Sequence, residues 1–195
     1  MGEQTGKTTR RPRADAARNR ARVLEAATLV FRNGGQQASL EAVAQQAGVG
    51  IGTLYPHFPS REALAAAVYR REVDQLTELA EQLAGCPAPV AALRRWLHAT
   101  IEFVATKKGM AAALAHAAQV PTELEAYRTE QLAGAIRCLM DRAVGAGELR
   151  TDIGPNDLLR LLVALCYESD APGWQTHVMR LLNVFVDGLR RPVER

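Results

Sequence analysis

The chain has 195 residues, of which 48% are hydrophobic, 23% charged and 5% aromatic, with a net charge of +3. One or two domains fit this length, and the apolar share is enough for a sizeable core. No uncharged apolar run reaches the roughly 18 residues of a membrane-spanning helix, and the basic N-terminus lacks the apolar segment of a secretory signal. We therefore expect a cytoplasmic protein without a membrane partner.

The positive charge is concentrated near the N-terminus. Residues 1–62 hold nine Lys or Arg and five Asp or Glu, a net +4, whereas the remaining residues hold 15 and 16, a net −1. This asymmetry predicts phosphate binding by the first third of the chain. The three cysteines, at 86, 138 and 166, are far apart and match no metal-ligand spacing. Incidental thiols in a reducing compartment are the main interpretation, and a redox-sensing pair is the alternative.

Residues 1–17 lack apolar periodicity and are predicted to be a basic, disordered arm. Arg10 and Arg11 could enter a minor groove or neutralise phosphates. The alternative is a solvated tail without specific contacts. The first helix is predicted over residues 18–33, and the sequence Asn33-Gly34-Gly35 ends it.

The stretch of residues 39–58 predicts two short helices on either side of a glycine turn. Ser39 is a good N-cap, and apolar residues follow it at helical spacing. Gly48 stands where a chain leaving a helix needs a positive φ. The second helix places Leu54 inside, which leaves three small or hydroxyl-bearing residues outside or on the flanks: Gly52, Thr53 and Tyr55. A helix–turn–helix with such a face is built to lie against a partner.

A longer pattern runs through the same stretch: Leu40-x-x-Val43-Ala44-x-x-Ala47-Gly48-Val49-x-x-Gly52-Thr53-Leu54-Tyr55-x-His57-Phe58, then Ser60-Arg61-Glu62-x-Leu64. It resembles the DNA-binding domain of TetR-family transcriptional regulators. The resemblance implies an all-α protein with a helix–turn–helix DNA-binding domain over residues 18–62. It also implies a helical effector-binding and dimerisation domain over residues 63–195, and release of DNA when an effector binds.

Two positions depart from the family pattern. Gly50 stands where many members cap the recognition helix with Ser or Thr, and Pro56 stands where many carry a long side chain. Proline disfavours helical backbone at the preceding residue, so the recognition helix is predicted to end near Tyr55.

The resemblance also implies roles for individual residues on double-stranded DNA. Tyr55, His57 and Arg61 are expected to contact phosphates, while Thr53 contacts a phosphate or a base edge. Gly52 is expected to allow close approach to a base. The full predicted DNA-binding set is Ser39, Gly52, Thr53, Tyr55, His57, Arg61, Arg10 and Arg11, and the predicted operator is palindromic.

Beyond Ser60, helices are predicted over residues 61–84, 90–106 and 121–145, with a short apolar segment over residues 110–118. The first of these is long enough to join the two domains mechanically. The second is apolar on two faces, which is typical of a central helix. We predict a pocket for a small, largely apolar effector, lined by Trp96, Phe103, Met110, His116, Tyr127 and Cys138. Ordinary core packing is the alternative for each of these side chains.

The last two helices are predicted over residues 156–169 and 172–190. The final helix is apolar over so wide an arc that it needs burial on more than one side, and a second copy of the chain could supply it. The resemblance favours this homodimer over packing wholly within the chain. The predicted interface consists of Leu161, Leu165, Trp174, Val178, Leu181 and Phe185.

The four histidines are scattered, and no nucleophile, phosphate-loop or metal-binding motif occurs, so we expect neither an enzyme nor a bound metal or cofactor. Two hypotheses follow. The first is a homodimeric, sequence-specific DNA-binding repressor that a small molecule releases. The second is a helical ligand-binding or partner-binding protein that does not act through DNA. The effector, the operator sequence, the target genes and the choice between repressor and activator stay open.

Overall fold

The computed structural model describes residues 10–34, 38–116, 120–167, 171 and 173–191. Within those ranges the chain forms eight α-helices: α1 (Arg10–Gly34), α2 (Leu40–Ala47), α3 (Ile51–Leu54), α4 (Arg61–Leu83), α5 (Pro89–His116), α6 (Val120–Gly145), α7 (Pro155–Tyr167) and α8 (Trp174–Gly188). Extended pairing in the described ranges is limited to one isolated antiparallel bridge between Leu149 and Arg190. The predicted all-α class is confirmed.

The turn between α2 and α3 forms as its local chemistry predicts. The Ser39 hydroxyl accepts a hydrogen bond of 3.1 Å from the Ala42 N–H and so caps α2. Gly48 ends α2 with φ 64°, a left-handed conformation that costs glycine little. Helix α3 is a single turn that ends at Leu54, and its C-cap, Tyr55, stands immediately before Pro56. The prediction of a short recognition helix is therefore confirmed.

Helix α1 begins at Arg10 rather than at Arg18. The prediction of a disordered arm is therefore wrong for residues 10–17, whereas residues 1–9 lie outside the described part of the chain. Pro12 did not prevent the early start, because proline is tolerated in the first turn of a helix. Farther along, α1 buries Val23, Ala27 and Phe31 in the core.

Helix α4 has the predicted start, ends one residue before the predicted end, and is held at both ends. The Ser60 hydroxyl caps its start by accepting a 3.1 Å hydrogen bond from the Ala63 N–H. At its other end, Arg142 of α6 donates to the carbonyl oxygens of Leu83 at 3.1 Å and Cys86 at 3.0 Å. Carbonyls at a helix C-terminus lack partners within the helix, so this guanidinium both satisfies them and ties α4 to α6.

Helix α5 is one continuous element, so the prediction of a break after Thr106 with a separate segment over residues 110–118 is wrong. The helix runs straight through Lys107, Lys108 and Gly109. It contacts α1, α4, α6, α7 and α8, which confirms the expectation of a central helix. Its largest fully buried side chains are Leu93, Trp96, Leu97, Ile101 and Met110.

Helices α7 and α8 close the bundle against α5 and α6. The chain after α8 pairs with the turn after α6, where Arg150 N–H donates to Leu189 O at 2.9 Å and Arg191 N–H donates to Glu148 O at 3.0 Å. No described helix is long and apolar enough to cross a membrane. A single hydrophobic core includes buried residues from all eight helices.

Candidate DNA-binding surface and effector domain

The outward face of α3 and of the turn after it is exposed. Gly52, Thr53, Tyr55 and His57 are all exposed, whereas Leu54 is fully buried beneath them. The prediction that α3 turns Leu54 inward and leaves Gly52, Thr53 and Tyr55 exposed is therefore confirmed. The face presents hydroxyl and imidazole groups that can donate hydrogen bonds to an anionic surface.

Within the part of the chain that the structure describes, no contact explains the glycine at position 52. A Cβ atom built on it would meet no atom within 4 Å, and its φ is not among the positive ones in the described residues. The absence of a side chain therefore leaves the outward face of α3 without bulk at this position. Another molecule can approach the backbone of α3 closely at this point.

Arg61 has a place in the packing of the domain. Its side chain is half-buried, and its guanidinium carbon lies 5.7 Å from the centre of the Phe31 ring. Arg20 lies similarly over Phe58, at 5.5 Å. These cation–π contacts hold the start of α4 and the turn after α3 against α1. A substitution at Arg61 will consequently perturb packing as well as charge.

The remaining predicted DNA-binding residues occupy mixed positions. Ser39 is partly exposed, and its hydroxyl oxygen already accepts the capping bond from Ala42. Arg10 and Arg11 belong to the backbone of α1, but their side chains lie outside the described residues.

Sequence reasoning missed Arg22, which fixes the helix–turn–helix to α1. Its Nη2 donates to the Ala47 carbonyl at 2.7 Å, at the C-terminus of α2. A cation at this end of a helix interacts favourably with the helix dipole and satisfies an unpaired carbonyl. No local sequence signal indicates the contact, because the two residues are 25 positions apart.

Three of the predicted pocket residues are tightly packed core. Trp96, Phe103 and Met110 are spaced seven residues apart on α5, and all three are buried. The indole N–H of Trp96 donates to the Leu76 carbonyl of α4 at 2.8 Å. The Phe103 ring lies 5.4 Å from the ring of Tyr69 at an angle of 59°. The face that bears these residues therefore joins α5 to α4.

The other three predicted pocket residues do not extend this wall. Cys138 is exposed, so its assignment to a central cavity is wrong: the buried stripe of α6 passes through Ile136, Leu139 and Ala143 instead. Tyr127 is half-buried, and its hydroxyl donates to Asp74 of α4, which raises the pKa of Tyr127. The side chain of His116 lies outside the described residues.

A surface groove lies elsewhere on the molecule. It has a volume of about 780 Å³ and runs between α1 and α4, where Arg20, Arg70 and Asp74 are among its lining residues. None of the predicted pocket residues lines it. Within the described part of the chain, no cluster of His, Cys, Asp or Glu has the makings of a metal site.

Apolar side chains are exposed on both α7 and α8. Leu181 is exposed, and four more predicted interface residues are half-buried: Leu161, Leu165, Trp174 and Phe185. Val178 is buried within the chain, so its assignment to an interface is wrong. Sequence reasoning missed three exposed residues of these helices. The exposed fractions are 40% for Val163, 50% for Tyr167 and 68% for Val184, compared with 37% for Leu181.

An all-α chain whose capped helix–turn–helix presents a small, polar outer face defines a helix–turn–helix DNA-binding protein. Residues 23–68 match the model of bacterial regulatory proteins of the tetR family, and residues 88–191 match that of the SbtR-like transcriptional regulator C-terminal domain. The chain belongs to the TetR family of transcriptional regulators. It is thus a DNA-binding regulator and not an enzyme.

Solved structures support this assignment over about nine tenths of the chain. A TetR transcriptional regulator from Streptomyces coelicolor is 38% identical with a TM-score of 0.80, and the match covers 90% of this chain and 99% of that one. A TetR regulator from Mycobacterium vanbaalenii is 31% identical with a TM-score of 0.75, covering 92% and 99%.

Curated relatives match this chain over only part of their length. An HTH-type transcriptional regulator of Staphylococcus aureus is 38% identical over 63 residues, which is 32% of this chain and 34% of the relative. The chain therefore aligns with about a third of the length of the curated relatives that it matches.

Proposed function

We propose that this protein is a homodimeric repressor that binds a palindromic operator and is released by a small, largely apolar effector. One observation carries the proposal: the same bundle exposes a small polar face on α3 and an apolar face on α7 and α8. The first suits a DNA groove, and the second suits a second copy of the chain. Basic residues concentrated in the first 62 positions supply the attraction to phosphates.

On DNA, Tyr55 and His57 contact phosphates, and Thr53 contacts a phosphate or a base edge. Gly52 allows the α3 backbone to approach a base, which agrees with the open space around its Cα. Arg61 adds charge near the same face while it packs on Phe31. Phosphate contacts set the affinity and base contacts set the sequence preference.

Two copies joined through α7 and α8 present two such faces. A two-fold dimer reads two half-sites about 34–36 Å apart, or at another spacing that matches its own. The effector enters the C-terminal domain beside the face of α5 that bears Trp96, Phe103 and Met110. Because these side chains are packed in the described structure, a ligand has to displace them or bind next to them. Tyr127 supplies a polar group close to this region.

The test starts from the organism's own DNA. Fragments that the protein retains are selected and sequenced, and a repeated two-fold motif is the expected result. Affinity for that motif, measured by fluorescence anisotropy at several salt concentrations, should fall steeply as salt rises. A broad panel of apolar compounds is then screened for release of the bound DNA.

A matched pair of variants separates DNA docking from nonspecific basicity. Gly52→Val adds bulk to the exposed face, where a Cβ meets no atom within 4 Å, and Gly134→Val adds it to exposed α6, where a Cβ also meets nothing. Only Gly52→Val should lose affinity for the operator. Equal binding by both variants, or failure of the wild type to select any motif, would contradict the proposed docking.

A further inference from the structure

One helical turn of α5 contacts three other parts of the molecule. Successive residues of an α-helix point about 100° apart, so four consecutive residues face all directions around the axis. Residues 106–109 use this geometry, because Thr106 and Gly109 meet α1, Lys107 lies over the Tyr69 ring of α4, and Lys108 reaches the junction of α7 and α8. The DNA-binding helices, α4 and the exposed apolar helices therefore meet at this turn.

The hydrogen bonds of Thr106 fix the end of α1. Arg32 donates to the Thr106 hydroxyl from Nε at 3.2 Å and from Nη2 at 3.1 Å, and its Nη1 pairs with Glu102 at 3.0 Å. The same hydroxyl donates to the Glu102 carbonyl at 3.2 Å. A hydroxyl has one donor and two acceptor positions, so that of buried Thr106 is fully used.

Gly109 allows the two helices to touch through their backbones. A Cβ atom at this position would lie 1.9 Å from the carbonyl oxygen of Phe31 and 2.7 Å from its carbonyl carbon. Glycine is unfavourable inside a helix, and Gly109 is not among the described glycines with positive φ. Close approach to α1 is therefore the reason for glycine here. We call the contact of Phe31 and Arg32 with Glu102, Thr106 and Gly109 the α1–α5 seam.

Contacts connect the seam to the helix–turn–helix on one side and to α7 and α8 on the other. On one side, Phe31 also carries the guanidinium of Arg61 at the start of α4, directly after the helix–turn–helix. On the other side, Lys108 donates to the Cys166 carbonyl at 2.9 Å, and its Nζ lies 4.4 Å from the Trp174 ring centre and 5.4 Å from that of Tyr167.

From this geometry we propose that the α1–α5 seam sets the orientation of the DNA-binding helices relative to the dimer helices, with Gly109 as its positioning residue. The proposal rests on the proposed dimeric repressor and names the contact that determines its half-site spacing. The long helix α4 crosses between the same parts and contacts α1, α5 and α6. A displacement of α5 reaches α1 directly through backbone contact, because no flexible side chain lies between Gly109 and Phe31.

The test compares Gly109→Ala with Gly134→Ala. Both replace a helical glycine, but a Cβ at Gly134 meets nothing within 4 Å, whereas at Gly109 it must move from 1.9 Å to an ordinary contact of at least 3.4 Å. One helix therefore has to shift by roughly 1.5 Å. Spin labels on Cys138 and Gln46→Cys, both exposed positions, measure the distance from α6 to α2 within one chain. The background carries Cys86→Ser, and excess unlabelled protein removes distances between copies.

We expect Gly109→Ala to keep its helical content and its dimer while the label distance shifts. On operators whose two halves are moved apart or together by one or two base pairs, its preferred spacing should change, with at least a tenfold loss on the native operator. Gly134→Ala should match the wild type in both measurements. Identical distances and spacing preference in Gly109→Ala and Gly134→Ala would overturn the proposal.

A second variant covers the case in which Gly109→Ala does not fold. Thr106→Val keeps the side-chain volume but removes the acceptor of both Arg32 bonds, so it should shift the same distance by a smaller amount. An unchanged distance in a folded Thr106→Val protein would then refute the seam. If the wild type binds no operator at all, the repressor function fails, and the label distances still decide the role of the seam.

Discussion

Replacing Val184 with glutamate tests the dimer face with little risk to the fold. The valine is 68% exposed within one copy of the chain, so a carboxylate there stays hydrated in the monomer. Full burial of a valine stabilises by about 1.5–3 kcal/mol, so covering its exposed part is worth about 1–2 kcal/mol. A two-fold interface contains the residue twice, which doubles the loss to about 2–4 kcal/mol.

The buried charge adds to this loss. An unpaired carboxylate in a desolvated contact costs about several kcal/mol more. Since about 1.4 kcal/mol corresponds to a tenfold change, the dissociation constant of the dimer should rise by at least about 30-fold. Sedimentation equilibrium measures the change, and far-UV circular dichroism checks that the helices remain.

The controls separate interface burial from added charge. Val184→Ala removes only part of the apolar area and should weaken the dimer much less. Gln82→Glu places the same charge on the exposed side of α4 and should leave it unchanged. A helical Val184→Glu protein that dimerises with wild-type strength, together with Leu181→Glu behaving the same way, would refute the assignment of α7 and α8.

Three further predictions concern the DNA face, the core and the thiols. Tyr55→Phe removes an exposed hydroxyl and should weaken operator and unrelated DNA equally in anisotropy titrations; a loss confined to the operator would instead make Tyr55 a base contact. Trp96→Ala should lower the free energy of unfolding in urea by about 3–5 kcal/mol, whereas Trp96→Phe, which removes the bond to Leu76 and part of the ring volume, should cost about 1–3 kcal/mol; a cost below about 1 kcal/mol for both would show that the indole is not core. Burial raises the pKa of Cys166 to about 11, so iodoacetamide at pH 8 should modify exposed Cys138 and spare Cys166 until the chain unfolds, as mass spectrometry of peptides would show. The same shift implies that ionisation of Cys166 does not reduce the free energy of unfolding below the thiol pKa of the unfolded chain. As the pH rises from there towards 11, the free energy of unfolding should decline.

The features that the sequence predicted correctly depend on neighbours along the chain. Ser39, Gly48 and Ser60 act on backbone groups within four residues, so their capping and turn chemistry can be inferred locally. The short α3 follows from Pro56 in the same way.

The errors have a tertiary origin. In the sequence, Gly109 after two lysines looks like the end of a helix. The position requires glycine because the Phe31 carbonyl, 78 positions earlier in the chain, leaves no room for a Cβ. Cys138 and Val178 were assigned to the wrong side because helices with apolar residues on two faces do not reveal which face is inside. Arg22 and Ala47 join two helices through a contact that no periodicity encodes.

The α1–α5 seam also limits how freely the DNA-binding domain can be exchanged for that of another regulator. In a hybrid regulator built by fusing another DNA-binding domain to this C-terminal domain, a splice within α4 would preserve the covalent connection but not the contact at Gly109. The substituted DNA-binding domain would need a backbone carbonyl that is accessible to Gly109 at the position of Phe31. It would also need a guanidinium at the position from which Arg32 reaches Thr106. Whether a DNA-binding domain is compatible with this C-terminal domain should therefore depend more on the residues that meet at the seam than on overall sequence identity.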